Sequence, residues 1–328
     1  MNVQLRIKKA VRATALVIVA LVLGLSNTAP VAAQVEPIPW VVPSSPPVPI
    51  DPTVPYLPGV DTLCENGSNG CFTVLLQQLK QRRAQAGCSH LAIAIDAYVT
   101  VTNHLIAARN AGRFYRPDRL NHEAYQYAHE FLRQYDKWTS PNPLVKATTS
   151  PSWQVAFKAM DDRTQTGTGD LLLWLNAHIR RDNTIRAIDQ AEGVLRIQGM
   201  MPQASGRPDH DTVSDVLAET LEPMLAHNAQ YYDQTVDDGT ELWGVVMDPE
   251  GLYTPISFWR EEAWQNAQQL RHARASGGVN GLLYQTKLAQ IETLALGGAE
   301  IIKPATTATP QQTADRLTHC HANIGDID

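Results

Sequence analysis

From Cys71 onward the chain repeats one pattern: apolar side chains three and four positions apart, with polar ones between them. "CFTVLLQQLKQRRAQAG" puts Phe72, Leu75, Leu76 and Leu79 on one stripe and stops at Gly87. "HLAIAIDAYVTVTNHLIAARNAG" does the same with Leu91, Ile95, Tyr98, Val99, Thr102 and Ile106, ending at Gly112. The spacing predicts further helices over 118–138, 151–164, 170–192, 211–236, 257–275 and 279–296. Only the β-branched "YVTVT" could pass for a strand, and "DPEG" (248–251) reads as a type I turn. The expected fold is all-α, a single multi-helix bundle of about eight helices. It occupies 63–300 as one domain.

The ends read differently. Arg6, Lys8, Lys9 and Arg12 precede the uncharged "ATALVIVALVLGL", and "VAAQ" offers small residues for a signal peptidase. Residues 1–33 are therefore expected to be a signal peptide, with Gln34 the new terminus. Ser26, Asn27, Thr28 and Pro30 interrupt the apolar run short of the ~20 residues that span a bilayer. Residues 34–62 are dense in proline, which excludes helix and favours an extended linker. "IIKPATTATPQQ" (301–312) reads as a second linker, leaving 301–328 as a tethered or loosely packed tail.

Export changes the charge balance. Without the four signal cations, 23 basic side chains face 33 acidic ones, a net of −10. Nucleic acid as a partner is disfavoured on charge, since "KQRR" (80–83) is only a short basic cluster. The expected partner is a small molecule or a component of the cell envelope, and the location is secreted or periplasmic. An even count of cysteines in an exported chain implies two disulfides. Cys64–Cys71, closing "CENGSNGC", is the preferred pair, which leaves Cys88 for Cys320. A zinc-binding "HCH" tail (His319 to His321) is the alternative.

The candidate chemistry sits in "LLLWLNAHIRRD" (171–182), the most apolar helical stretch of the expected mature chain. Asp170 is the expected N-cap, and Leu171 to Leu175 leave no polar face, so this helix belongs at the centre of the bundle. His178 and Asp182, at i and i+4, share one face of it. Three explanations stay open: a core hydrogen bond, a metal site, or an acid–base couple in which Asp182 orients His178. A divalent metal such as zinc would need further ligands, and His122, His227 and Glu261 or Glu262 are the expected contributors, with the other glutamate expected to pair with Arg180, Arg181 or Arg186. "LNHEAYQYAHEF" places His122 and His129 two turns apart with Glu123 and Glu130 beside them; a polar bundle surface is the bland reading. Asp209 and Asp211 are expected helix caps around His210. His227 and Tyr231 share a face, and Ser257 reads as the N-cap of "SFWREEAW".

"LLLWLNAHIRRDNTIRAI", "FYRPDRLNHEAYQYAHEF", "SWQVAF" and "FWREEAWQNAQQL" together resemble a family of bacterial proteins of unknown activity, common in actinobacteria, whose hallmark is Asn-Ala-His-Ile-x-x-Asp-Leu. The likeness spans 71–275, with Asn183 standing where that family has Leu. It implies the fold and the importance of this segment rather than a reaction. The His-x-x-x-Asp spacing is also similar to that of zinc-dependent phospholipases C and single-strand nucleases, although no further His follows between Asp182 and His210. Two functions stand side by side: a metal-dependent hydrolase with His178 and Asp182 as ligands or as base and orienter, and a non-catalytic secreted or envelope protein, binding or structural, in which the pair is a core hydrogen bond.

Overall fold

The periodic stretches all resolve as helix in a computed structural model, which describes residues 67–188, 202–237, 241–242 and 245–327. The expected signal peptide, the proline-rich stretch expected to be a linker and Cys64 lie outside the described residues. In chain order the helices are α1 (Gly70–Ala86), α2 (Leu91–Asn110), α3 (Pro117–Thr139), α4 (Pro143–Lys146), α5 (Pro151–Asp162) and α6 (Gly167–Leu175). Helix α6 runs on without a break as a π-helix, Asn176–Ile188. Then come α7 (Pro202–Tyr231), α8 (Pro249–Gly277), α9 (Leu282–Ala305) and α10 (Pro310–Asn323). A two-stranded antiparallel ribbon, Glu241–Leu242 with Val245–Val246, precedes α8. The all-α expectation holds, and "YVTVT" lies inside α2 because its side chains pack on the core.

Two helices form the apolar centre. Every residue from Leu91 to Val99 of α2 is buried, as is every residue of α6. Helix α2 is long and apolar enough to cross a membrane, but most of it is covered by the rest of the protein. It is a core helix by packing. The π-helix that continues α6 packs against α3, α5, α8 and α9.

Several ends differ from expectation for identifiable reasons. Thr166, not Asp170, caps α6, its hydroxyl accepting from the Gly169 amide at 3.2 Å. "DPEG" opens a helix instead of making a turn: Asp248 accepts from the Gly251 amide at 2.7 Å, and Pro249 takes the first helical position. Helix α8 therefore starts well before Ser257, whose hydroxyl donates to the Thr254 carbonyl in mid-helix. Helix α7 likewise starts ahead of Asp211, which pairs with Arg207 at 2.8 Å. Asp209 caps another helix altogether, accepting from the Tyr115 and Arg116 amides at the entrance to α3. The segment read as a second linker carries the end of α9 and the start of α10, where Thr309 and Gln312 form a capping box.

The Cys88–Cys320 disulfide joins α10 to the turn before α2. Beside it Arg316 binds Asp170 at 2.7 Å and Asp233 at 3.1 Å, and His90 binds Asp170 at 2.9 Å. With Cys320 in a disulfide and His319 on the Ala229 carbonyl, the "HCH" tail is not a metal site.

Candidate functional site

The central helix carries its polar side chains inward and commits each to a different neighbour. Arg180 holds Glu262 of α8 through two bonds of 2.7 and 3.1 Å. Arg181 reaches Glu130 of α3 at 3.0 Å and Glu292 of α9 at 2.8 Å. Asp182 turns to α5, where the Trp153 indole N–H donates to both carboxylate oxygens at 3.1 and 3.0 Å. The wide π winding spreads three consecutive side chains over three partner directions, and such windings often mark functional sites. Gly298 of α9 permits this closeness: a Cβ there would collide with Asn176 and Arg180.

His178 and Asp182 form a buried pair. Neither is more than 3% exposed, and Nδ1 of His178 lies 3.3 Å from Asp182 Oδ2. Arg181 donates to the other carboxylate oxygen at 2.6 Å. Burial by itself would lower the Arg181 pKa, but Asp182, Glu130 and Glu292 together raise it, so the guanidinium stays charged. The imidazole is packed as an aromatic. Tyr127 stacks on it at 3.7 Å between ring centres and 12° between planes, and Trp174 at 5.4 Å and 14°. Burial in this shell lowers the His178 pKa, and the Asp182 hydrogen bond offsets it only partly. The ring is neutral at pH 7. Because Asp182 is an acceptor, the proton sits on Nδ1 and Nε2 keeps its lone pair.

A cavity of about 70 Å³ borders this ring. Phe72, Leu75, Leu105, Leu175, Leu221 and Met224 supply apolar wall; Tyr98, Glu123, Tyr127, Trp174, His178 and Arg260 supply the polar groups. Val101, Glu123, Ala124, Val213 and Leu217 of the lining are only half-buried, so the cavity reaches outward between α2, α3 and α7. Four buried polar atoms of the lining find no hydrogen-bond partner among the described residues: Tyr98 OH, Tyr127 OH, Trp174 Nε1 and His178 Nε2. Each such orphan costs about 1–3 kcal/mol, and native proteins rarely collect them in one place without a use. Burial pushes both tyrosines well above their ordinary range, so both are neutral hydroxyls.

The other expected ligands do not converge on His178. Glu262 is taken by Arg180, and Glu261 by Arg207 at 2.8 Å. His227 binds Asp96 at 2.7 Å, alongside Arg83 at 3.0 Å, making a second His–Asp pair between α2 and α7. His122 is buried on α3, which rules out an exposed polar face there. Glu130, on the same helix, is buried among Arg133, Gln134 and Arg181. Among the described residues no group of three His, Cys, Asp or Glu side chains is placed to hold a metal ion. The reading from sequence missed Tyr127, Trp153 and Arg260 as partners of the pair and its cavity. Trp174 was legible, four residues before His178 on the same face; Tyr127 was not, since only the docking of α3 against the central helix brings it there.

These features define an all-α protein with a buried, aromatic-walled cavity against a carboxylate-backed histidine. The chain belongs to a family of unknown function, DUF5995, which matches residues 73–304. No curated protein and no solved structure matches it.

Three buried histidines predict how the fold responds to acid. Burial lowers the pKa of His90 and His178, and it takes His210 well below the ordinary value with help from Arg260, Arg207 and Arg119. In each case the folded pKa is below the unfolded one, so the unfolded chain binds more protons just under pH 6.5. Their contribution is complete above pH 6.5 and is lost as the pH falls from there toward the folded values. Urea midpoints taken from pH 7.5 down to pH 5 should show stability flat above about 6.5 and then falling, by at most about 4 kcal/mol per pH unit for three protons. A midpoint unchanged across that range would mean these rings are not buried and neutral.

Proposed function

We propose that this is an exported binding protein whose cavity takes a small molecule with an apolar body and a polar end. The single observation that carries the reading is the meeting of four orphan polar atoms on one largely apolar cavity. A ligand bearing hydrogen-bonding groups would satisfy them, and its body would replace cavity surface by contact. The disulfide between Cys88 and Cys320 supports an oxidising location. A second reading, hydrolysis, is favoured by the fixed tautomer: a neutral imidazole with Asp182 on Nδ1 presents a basic Nε2 that can take a proton from water.

Binding of 1-octanol, followed by thermal shift and calorimetry, tests the proposal. One octanol per protein is expected, with stabilisation of about 2.7 kcal/mol at a hundred times Kd, and Leu221→Trp, which fills the cavity, should abolish it. Absence of saturable binding would end the reading. The same samples given p-nitrophenyl octanoate decide on turnover, where loss of hydrolysis in His178→Ala with octanol binding kept would identify a base.

A further inference from the structure

Within this cavity one cation has no ion-pair partner among the described residues. Arg260 of α8 is only 4% exposed and lines the cavity. Its Nε donates to the Ser214 hydroxyl at 2.8 Å, and its Nη2 donates to the His210 carbonyl at 2.9 Å and lies 3.2 Å from His210 Nδ1. All of these partners are neutral, and no carboxylate of the described residues pairs with the guanidinium. A second cation stands near it. Arg119 is 1% exposed, none of its three guanidinium nitrogens makes a hydrogen bond among the described residues, and Glu123 is 3.8 Å away. The positive fields of Arg119 and Arg260 both fall on His210. Nearby carboxylates are engaged elsewhere: Glu123, also on the lining, stands beside Arg119, Asp209 holds two backbone amides, and Asp211 holds Arg207, so Glu123 and Asp211 act on Arg260 only through their field. A buried cation without a partner is expensive, and proteins keep one where a ligand supplies the anion.

We propose that the ligand is a monoanionic amphiphile, a carboxylate on a short acyl chain, with its head on Arg260 and its chain along the apolar wall. This rests on the binding reading above and narrows it. Three of the four orphan atoms, the two tyrosine hydroxyls and the indole N–H, can donate, which suits an oxygen-rich head. One unpaired cation on the lining matches one negative charge. The enclosed part of the cavity, about 70 Å³, is about half the volume that takes a benzene ring, so it holds the head and the first carbons, and the rest of the chain follows the half-buried opening between α2, α3 and α7.

The test compares octanoate, 1-octanol and octylamine on the same purified protein by calorimetry, with no variant needed. Octanoate should bind about tenfold or more tighter than octanol, since a charge-assisted bond is gained, and octylamine should be weaker than both. Arg260→Met should weaken octanoate binding about tenfold or more and erase its preference over octanol; circular dichroism checks that the variant is folded. Octanol binding as well as octanoate, or octylamine binding as well as either, would overturn the anionic head and leave the binding reading standing. If none of the three binds, both fall together.

Discussion

Asp182→Ala is expected to destabilise the protein by about 3–5 kcal/mol, the largest effect of any single substitution at the site. The carboxylate is fully buried and accepts from the Trp153 indole, Arg181 and His178. Removing it leaves the indole N–H without an acceptor, takes one of three counter-charges from a buried guanidinium, and frees the His178 tautomer. Asp182→Asn should fall between wild type and alanine, because an amide oxygen still accepts from Trp153 but the charge facing Arg181 is gone. Urea titration of the three proteins checks the order. An alanine variant within about 1 kcal/mol of wild type would contradict the burial described for this pair.

Opening the disulfide should have an effect of similar size, and a local one. Cys88 and Cys320 are 232 residues apart, so the loop-entropy account allows up to about 5 kcal/mol, and native disulfides typically give about 2–5. Helix α10 buries only Arg316 and Cys320, so almost no apolar contact would hold it once the bond is broken. The expected outcome for Cys88→Ser with Cys320→Ser is rapid amide exchange across 310–323 while α2 and α6 stay protected. The loss of Arg316 from Asp170 and Asp233 would add to the cost. Protection kept in α10, with no change in urea midpoint, would show that other contacts secure it.

The two effects have different standing in the sequence. A disulfide from Cys88 to Cys320 follows from cysteine count and loop chemistry once Cys64 is assigned to Cys71. The helix bearing His178 was legible because Leu171 to Leu175 leave it no polar face. What the pair does was not legible. One of Glu261 and Glu262 was expected on an arginine of the central helix, and Glu262 does hold Arg180; the other was expected at the His178 pocket because acid between tryptophans is rare on a surface, yet Glu261 is bound by Arg207. The "HCH" run was the alternative to a Cys88–Cys320 disulfide, and the disulfide claims its centre. Helix starts went astray where a local cap signal was read as a turn, as at Asp248, or was assigned to the wrong helix, as at Asp209.

The sequence by itself determined the all-α class, the buried helix with its histidine and carboxylate, and the even set of cysteines. These depend on periodicity and composition within a few turns, where each residue's neighbours are fixed by the chain. Only the tertiary structure decided that Tyr127 stacks on His178, that Trp153 holds Asp182, and that Arg260 lines the cavity unpaired. Those contacts join α3, α5 and α8 to the central helix, and their register comes from how whole helices dock, which no local spacing encodes.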